Sequence, residues 1–303
     1  MRKSVVRLAG LLGLSCILAA HVFAAPNVVY VSVLGADTNP CSRLLPCKTV
    51  THSLSVVAAG GAVDIVATGI YDPFTITRAN TVEAEPGVLA TINVPVSGTG
   101  ITVNAGSTDV VTLRGLSLHG TSGTGVGIAV QSGLTGIEDC VSKNFATALQ
   151  FLPTVSSTLT VKGGRYQGAS NGIFLCCASG ATFNVSIDST HVDGGTYSGI
   201  NADGQQISIT RSLVTGMGSG STGIGILVAH GKAVIESTIV SAYGFGLFSA
   251  QGDAAAYVSS CTVTGNDSGV VIGLGQVFSR GNNTVITNGS DVSGGTLQPL
   301  PPQ

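Results

Sequence analysis

Residues 199–236 read GINADGQQISIT, RSLVTGMGSGST, GIGILVAHGKAVIE. The end of the stretch restates its beginning: Gly199-Ile200 returns as Gly223-Ile224, and Ile209 returns as Ile235. Apolar residues alternate with Ser, Thr and Asn at period two, as in half-buried strands. Glycines fall between the strands, where corners need backbone freedom.

The repeat extends in both directions. An inward aliphatic is expected at Leu113, Ile137, Val161, Ile187, Ile209, Ile235, Val258 and Phe278, at steps of 20 to 26 residues. A second strand opens on Gly127-Ile128, Ala148-Leu149, Gly172-Ile173, Gly199-Ile200, Gly223-Ile224, Gly244-Phe245 and Gly269-Val270. This period is one coil of a solenoid, read as a two-strand unit. The leucine-rich pattern is absent, and runs of helix formers are absent too. One coil cannot bury its own inner face. Stacking coils ~4.8 Å apart buries a continuous aliphatic column and pairs the backbone. The fold class is therefore all-β: a right-handed parallel β-helix.

Register makes a further expectation. The residue after each inward aliphatic faces solvent, giving Arg114, Glu138, Lys162, Asp188, Thr210, Glu236, Ser259 and Ser279. The first four alternate in sign, a ladder of favourable cross-strand pairs.

Composition agrees. Among 303 residues there are 43 Gly and no Trp, and 9% are charged against about 25% in ordinary domains. A net charge of −2 without basic clusters excludes an electrostatic footprint for nucleic acid.

The ends differ from the coils. Met1-Arg2-Lys3, the apolar run to Ala20 and Val22-Phe23-Ala24 have the layout of a signal peptide, residues 1–24, cut before Ala25. That apolar run is too short for a comfortable membrane span. Residues 25–100 read as an N-terminal cap and first coils, with an amphipathic helix over Thr51–Ala59. Residues 101–293 form the coils. Residues 294–303 form a flexible Pro-rich tail that cannot extend the sheet. Six cysteines remain after cleavage, an even count that favours disulfides in an exported chain. Cys41 and Cys47 are the candidate pair. The partners of Cys140, Cys176, Cys177 and Cys261 stay open.

Tyr30-Val31-Ser32, Gly35-Ala36-Asp37, Asn39-Pro40-Cys41, Pro46-Cys47-Lys48-Thr49, Gly60-Gly61 and Gly69-Ile70-Tyr71 resemble the N-terminal cap of exported bacterial β-helix proteins of the pectin-lyase-like superfamily. The coils after Ile101 resemble their repeats. The resemblance implies fold and export. Many such proteins act on or bind polysaccharides and many have no known activity, and fold does not fix function.

Chemistry concentrates at one repeated corner, residue-Gly, at Ser132-Gly133, Ser179-Gly180, Asp203-Gly204, His230-Gly231 and Gln251-Gly252. Asp203, His230 and Gln251 are expected on consecutive coils, with Lys232 and Asp253 two residues beyond. An Asp–His pair is the minimal acid/base unit, so Asp203 and His230 are the candidate catalytic residues. Gln251, Lys232 and Asp253 are the candidate substrate-binding residues. Polar residues before a corner glycine are also ordinary turn residues. Asn201-Ala202-Asp203-Gly204 and Ala229-His230-Gly231 faintly resemble two polygalacturonase motifs. The Asp-Asp pair and Arg-x-Lys of that family are missing.

Asp188, Asp193 and Asp203 are too sparse for the Ca2+ site of a pectate lyase. No metal or other cofactor is expected. His52 reads as packing or capping, and His119 and His191 as lone histidines. Tyr71, Tyr166, Tyr197 and Tyr243 are the candidate sugar-stacking aromatics.

The expected function is a secreted or periplasmic monomer that presents a long surface to glycans or the cell envelope without catalysis. It neither binds nucleic acid nor inserts in membrane. The alternatives are a polysaccharide lyase or hydrolase acting on uronate polymers, and an adhesin-like surface protein.

Overall fold

The computed structural model describes residues 25–121, 123–176, 182–218 and 222–300. The signal-peptide reading, Cys177 and the Ser179-Gly180 corner lie outside them. The chain winds as an all-β, right-handed parallel solenoid of about nine turns, the hand expected for parallel crossovers.

Each coil has three strands rather than the expected two. The first sheet stacks Val28–Val31, Ala62–Ile65, Asn80–Ala84, Val110–Arg114 and Leu134–Glu138, and continues to Gln276–Ser279. The second sheet stacks short strands such as Leu116–Gly120, His191–Gly194 and Ile239–Ser241. The third holds Thr99–Asn104, Val126–Ser132 and, on later coils, Phe245–Ser249. All pairings are parallel, so each backbone ladder is shared between neighbouring coils.

The expected inward column holds from Leu113 through Ile137, Val161, Ile187, Ile209 and Ile235 to Val258, all directly paired and buried. The last position is displaced by one residue. Ser279 pairs with Val258, so Val277 enters the core and Phe278 turns outward. A one-residue slip exchanges the two faces of a strand. The third-sheet column holds from Ile128 to Ile200, moves by two on the next two coils, and returns to the expected place at Val270, which pairs with Leu247. Ile200 pairs with Ile226, and Ile226 with Leu247. Ile224 and Phe245 start their strands instead of filling the core.

The outward ladder is also partly re-paired. Arg114 bridges Glu83 and Glu138 at 2.8 Å each, whereas Asp188 pairs with Arg211 at 2.5 Å rather than with Lys162.

The first and second sheets meet at a one-residue corner with positive φ. It is filled by Gly115, Asp139, Gly163, Ser189, Arg211, Ser237 and Ser260, most of them not glycine. The next residue points inward and caps the strand it left. Thr190, Ser212 and Thr238 hydroxyls donate to the carbonyl two residues back, at 2.9, 2.8 and 2.9 Å. Cys140 and Cys261 fill the same position, their thiols donating to Glu138 and Ser259 carbonyls at 3.4 and 3.3 Å. Both are buried free thiols, and coils carrying Thr190, Ser212 and Thr238 separate them. Burial pushes the Cys140 thiol up to about 12. The even cysteine count therefore does not translate into pairs throughout. Cys41–Cys47 is joined, with Cα atoms 4.6 Å apart. Those sulfurs lie near His52, but as a disulfide they offer no thiolate to a metal.

The helix spans Val50–Val56, shorter than expected, and Thr49 caps it by accepting the His52 N–H at 3.1 Å. Asp37 fixes that start by accepting the Lys48 and Thr49 N–H groups at 2.9 Å. At the other end the tail does extend the sheet. Gln298–Pro299 pairs with Phe278 and Ser279, and the Leu300 N–H donates to Ser279. Proline is tolerated there because an outermost rung needs no N–H on its open side.

Candidate functional site

The corner from the third sheet into the first carries the predicted residues. Asp203 pairs with His230, and Gly204 with Gly231, as expected. Gln251 does not follow in that column. Val228 pairs with Ser249 and Lys232 with Ala255, so Ala250–Ala254 spans a gap that Ala229–Gly231 closes in the coil below. The longer turn closes on itself through the Ala254 N–H and Gln251 carbonyl, at 2.9 Å. It brings Asp253, rather than Gln251, onto His230: Nδ1 lies 2.8 Å from Oδ1. Asp203 instead accepts from the Cys176 thiol at 3.5 Å.

The His230 hydrogen bond holds the Asp253 carboxyl below the usual carboxylate range. The pair is open to water, with side chains 52% and 66% exposed. Such a pair can orient an imidazole, but water screens it and competes for both groups.

Lys232 lies below this corner on the outer face of the first sheet. It lines a hollow of ≈ 410 Å³ with Asn184, Gln206, Ser208, Val234 and Tyr257. A second hollow, ≈ 400 Å³, shares Val234 and Tyr257 and continues to Glu236, Arg280 and Leu300. Together they form one shallow groove across successive coils. Tyr257 stacks on Phe278, with centroids 4.9 Å apart and planes 10° from parallel. The slip that turned Phe278 outward thus supplies half of an aromatic platform. Three of the sequence-predicted stacking tyrosines, Tyr71, Tyr166 and Tyr243, are buried in the core instead, and only Tyr197 is exposed.

The second sheet holds a constellation that the sequence reading missed. His191 Nε2 and Thr215 Oγ1 each lie 2.8 Å from Asp193 Oδ1, and Arg165 bonds the other carboxylate oxygen. Asp193 is nearly buried. The findable signal was spacing: His191 and Asp193 share one strand face, and Arg165 lies one coil earlier.

No protein-family model matches the sequence, and comparison with curated proteins yields no match. Solved structures do match. A rhamnogalacturonan lyase superposes with a TM-score of 0.50 at 13% identity, covering 86% of this chain and 85% of that one. The Dettilon tailspike protein gives 0.52 at 10% identity, covering 88% and 68%. The lacto-N-biosidase of Eubacterium ramulus gives 0.50 at 9% identity, covering 90% and 67%. The shared feature is the fold, a right-handed parallel β-helix. At these identities the likeness extends to the fold alone. Among the described residues, no helix is long and apolar enough to cross a membrane.

Proposed function

We propose that this secreted β-helix binds a polysaccharide chain along the first-sheet groove and holds it without cleaving it. The observation that carries the reading is the continuous groove from Asn184 to Leu300, with Tyr257 at its centre and Lys232, Glu236 and Arg280 along it. Sugar rings combine apolar faces with hydroxyl rims, and this lining offers aromatic surface beside amide and charged groups. Rungs recur every ~4.8 Å, close to the rise of one pyranose in an extended glycan. The names of the structurally similar lyase and biosidase point to the same class of ligand.

The open His230–Asp253 corner favours a second reading, a polysaccharide lyase or hydrolase using Asp203 and His230. One experiment separates the two. Binding is measured by affinity electrophoresis over neutral and uronate polysaccharides, beside reducing-end and unsaturated-product assays. The expected result is binding that Tyr257→Ala weakens by about threefold to tenfold, from ~0.5–1.5 kcal/mol of stacking, with no turnover. Turnover abolished by Asp203→Asn or His230→Ala would replace the binder with an enzyme. Export is checked by sequencing the mature N-terminus, expected at Ala25.

A further inference from the structure

A second hollow surface lies on another edge of the prism. It is a trough of ≈ 380 Å³ where the second sheet turns into the third, lined by Asn144, Gln167, Gly168, Ala169, Gly194 and Gly195. Two of its glycines, Gly168 and Gly195, are required by the tightness of the turn itself. A Cβ at Gly168 would collide with the Asn171 carbonyl, and one at Gly195 with the Ser198 carbonyl. The turn is also braced from below, because the buried Tyr243 hydroxyl donates to the Gly194 carbonyl at 2.6 Å and the Thr215 carbonyl at 3.1 Å.

Beside the trough runs a registered polar column, which reaches its lining at Gln167. His119, Lys143, Gln167, Asp193 and Thr215 follow one another on successive coils. Asn144 is held against His119, 2.6 Å from its Nε2. Asp193 is fully engaged by Arg165, His191 and Thr215, so it presents no free charge. Lys143 is exposed and forms no ion pair among the described residues. Met217 also lines the trough and stands 77% exposed, adding an apolar side chain to a mixed surface.

We propose that this trough is a separate binding site for an anionic saccharide, whose acidic group meets Lys143 while Asn144 and Gln167 hold its hydroxyls. A charge-assisted bond at Lys143 supplies the sign preference, and the amides supply directed hydrogen bonds. The inference rests on the glycan-binding reading but uses a different face. The two grooves would let one molecule hold two chains at once.

The test uses the full mature protein with polygalacturonate, dextran sulfate and uncharged dextran, at low and high salt, by affinity electrophoresis and calorimetry. Lys143→Ala and Gln167→Ala change exposed side chains, and matching thermal melts establish that the variants fold. The expected result is binding to one or both anionic polymers that weakens with salt. It falls about tenfold in Lys143→Ala, falls in Gln167→Ala, and persists in Tyr257→Ala. Preference between the two anionic polymers tells carboxylate from sulfate. Equal binding to dextran, or no binding to either anionic polymer, overturns the proposal. So does loss in Tyr257→Ala with Lys143→Ala unaffected, which assigns the ligand to the first sheet and leaves the earlier reading standing.

Discussion

The molecule carries two histidine–aspartate pairs of the same length in different surroundings. His230–Asp253 sits on an open turn, and His191–Asp193 lies on the flat of the second sheet. Both put an imidazole nitrogen 2.8 Å from a carboxylate oxygen. In the first, both side chains are more than half exposed. In the second, the Asp193 side chain is 12% exposed and shared with Arg165 and Thr215. Identical pairwise geometry therefore says little by itself. What separates the pairs is how many further groups each carboxylate satisfies and how much water it retains. The open pair joins one turn to the next at a solvated corner, while the enclosed one fixes three coils against each other.

The sharpest way to break this contrast is to remove each carboxylate in turn. Asp193→Ala leaves Arg165, His191 and Thr215 without their acceptor and is expected to destabilise the fold by about 2 kcal/mol, read from urea melts. Asp253→Ala is expected to leave the melt unchanged. Equal effects would erase the distinction. Next in size is Tyr243→Phe, which strips the donor from the Gly194 and Thr215 carbonyls behind the enclosed pair. A loss of about 1–2 kcal/mol is expected, with raised hydrogen exchange at Gly194 and Gly195. An unchanged exchange rate would show that the corner holds without its brace.

The smallest effect is on proton binding. The Asp253 carboxyl is held low by His230, so its folded value lies below its unfolded one. The stabilisation is present above the unfolded value and fades as pH falls through the folded value. Because Asp253 is largely open to water, the contribution is slight. The direct check is a carboxyl NMR titration in His230→Ala, where Asp253 should return to the ordinary carboxylate range. An unmoved titration would detach the two residues.

These contrasts also mark what the sequence can carry. The column from Leu113 to Val258 is legible because each coil spends one large aliphatic at the same place. Phe278 misleads, since an aromatic beside a valine looks like the better core residue until pairing puts Val277 inside. The second sheet is hard to see because strands such as Leu213–Thr215 bury a single side chain, too few to show a period. Corners such as Asp139 and Arg211 take positive φ without glycine, so no punctuation marks them. At the candidate site the repeat placed Asp203 in register with His230, but not the Asp253 carboxylate on the imidazole. Two extra residues in a turn decide whether Gln251 or Asp253 arrives, and turn lengths are invisible to alignment by repeat. Asp193 and His191 were passed over because their partner Arg165 is remote along the chain.

The corner column of Thr190, Ser212 and Thr238 has one more consequence. The Thr190 N–H is donated to the Ser212 hydroxyl and the Ser212 N–H to the Thr238 hydroxyl, at 3.3 and 3.4 Å. Across these three coils each turn thus presents to the next the same hydroxyl acceptor. A turn excised or duplicated whole would find its neighbours already fitted to receive it. Over this stretch the rod's length is accordingly quantised, in steps of ~4.8 Å that share one kind of joint.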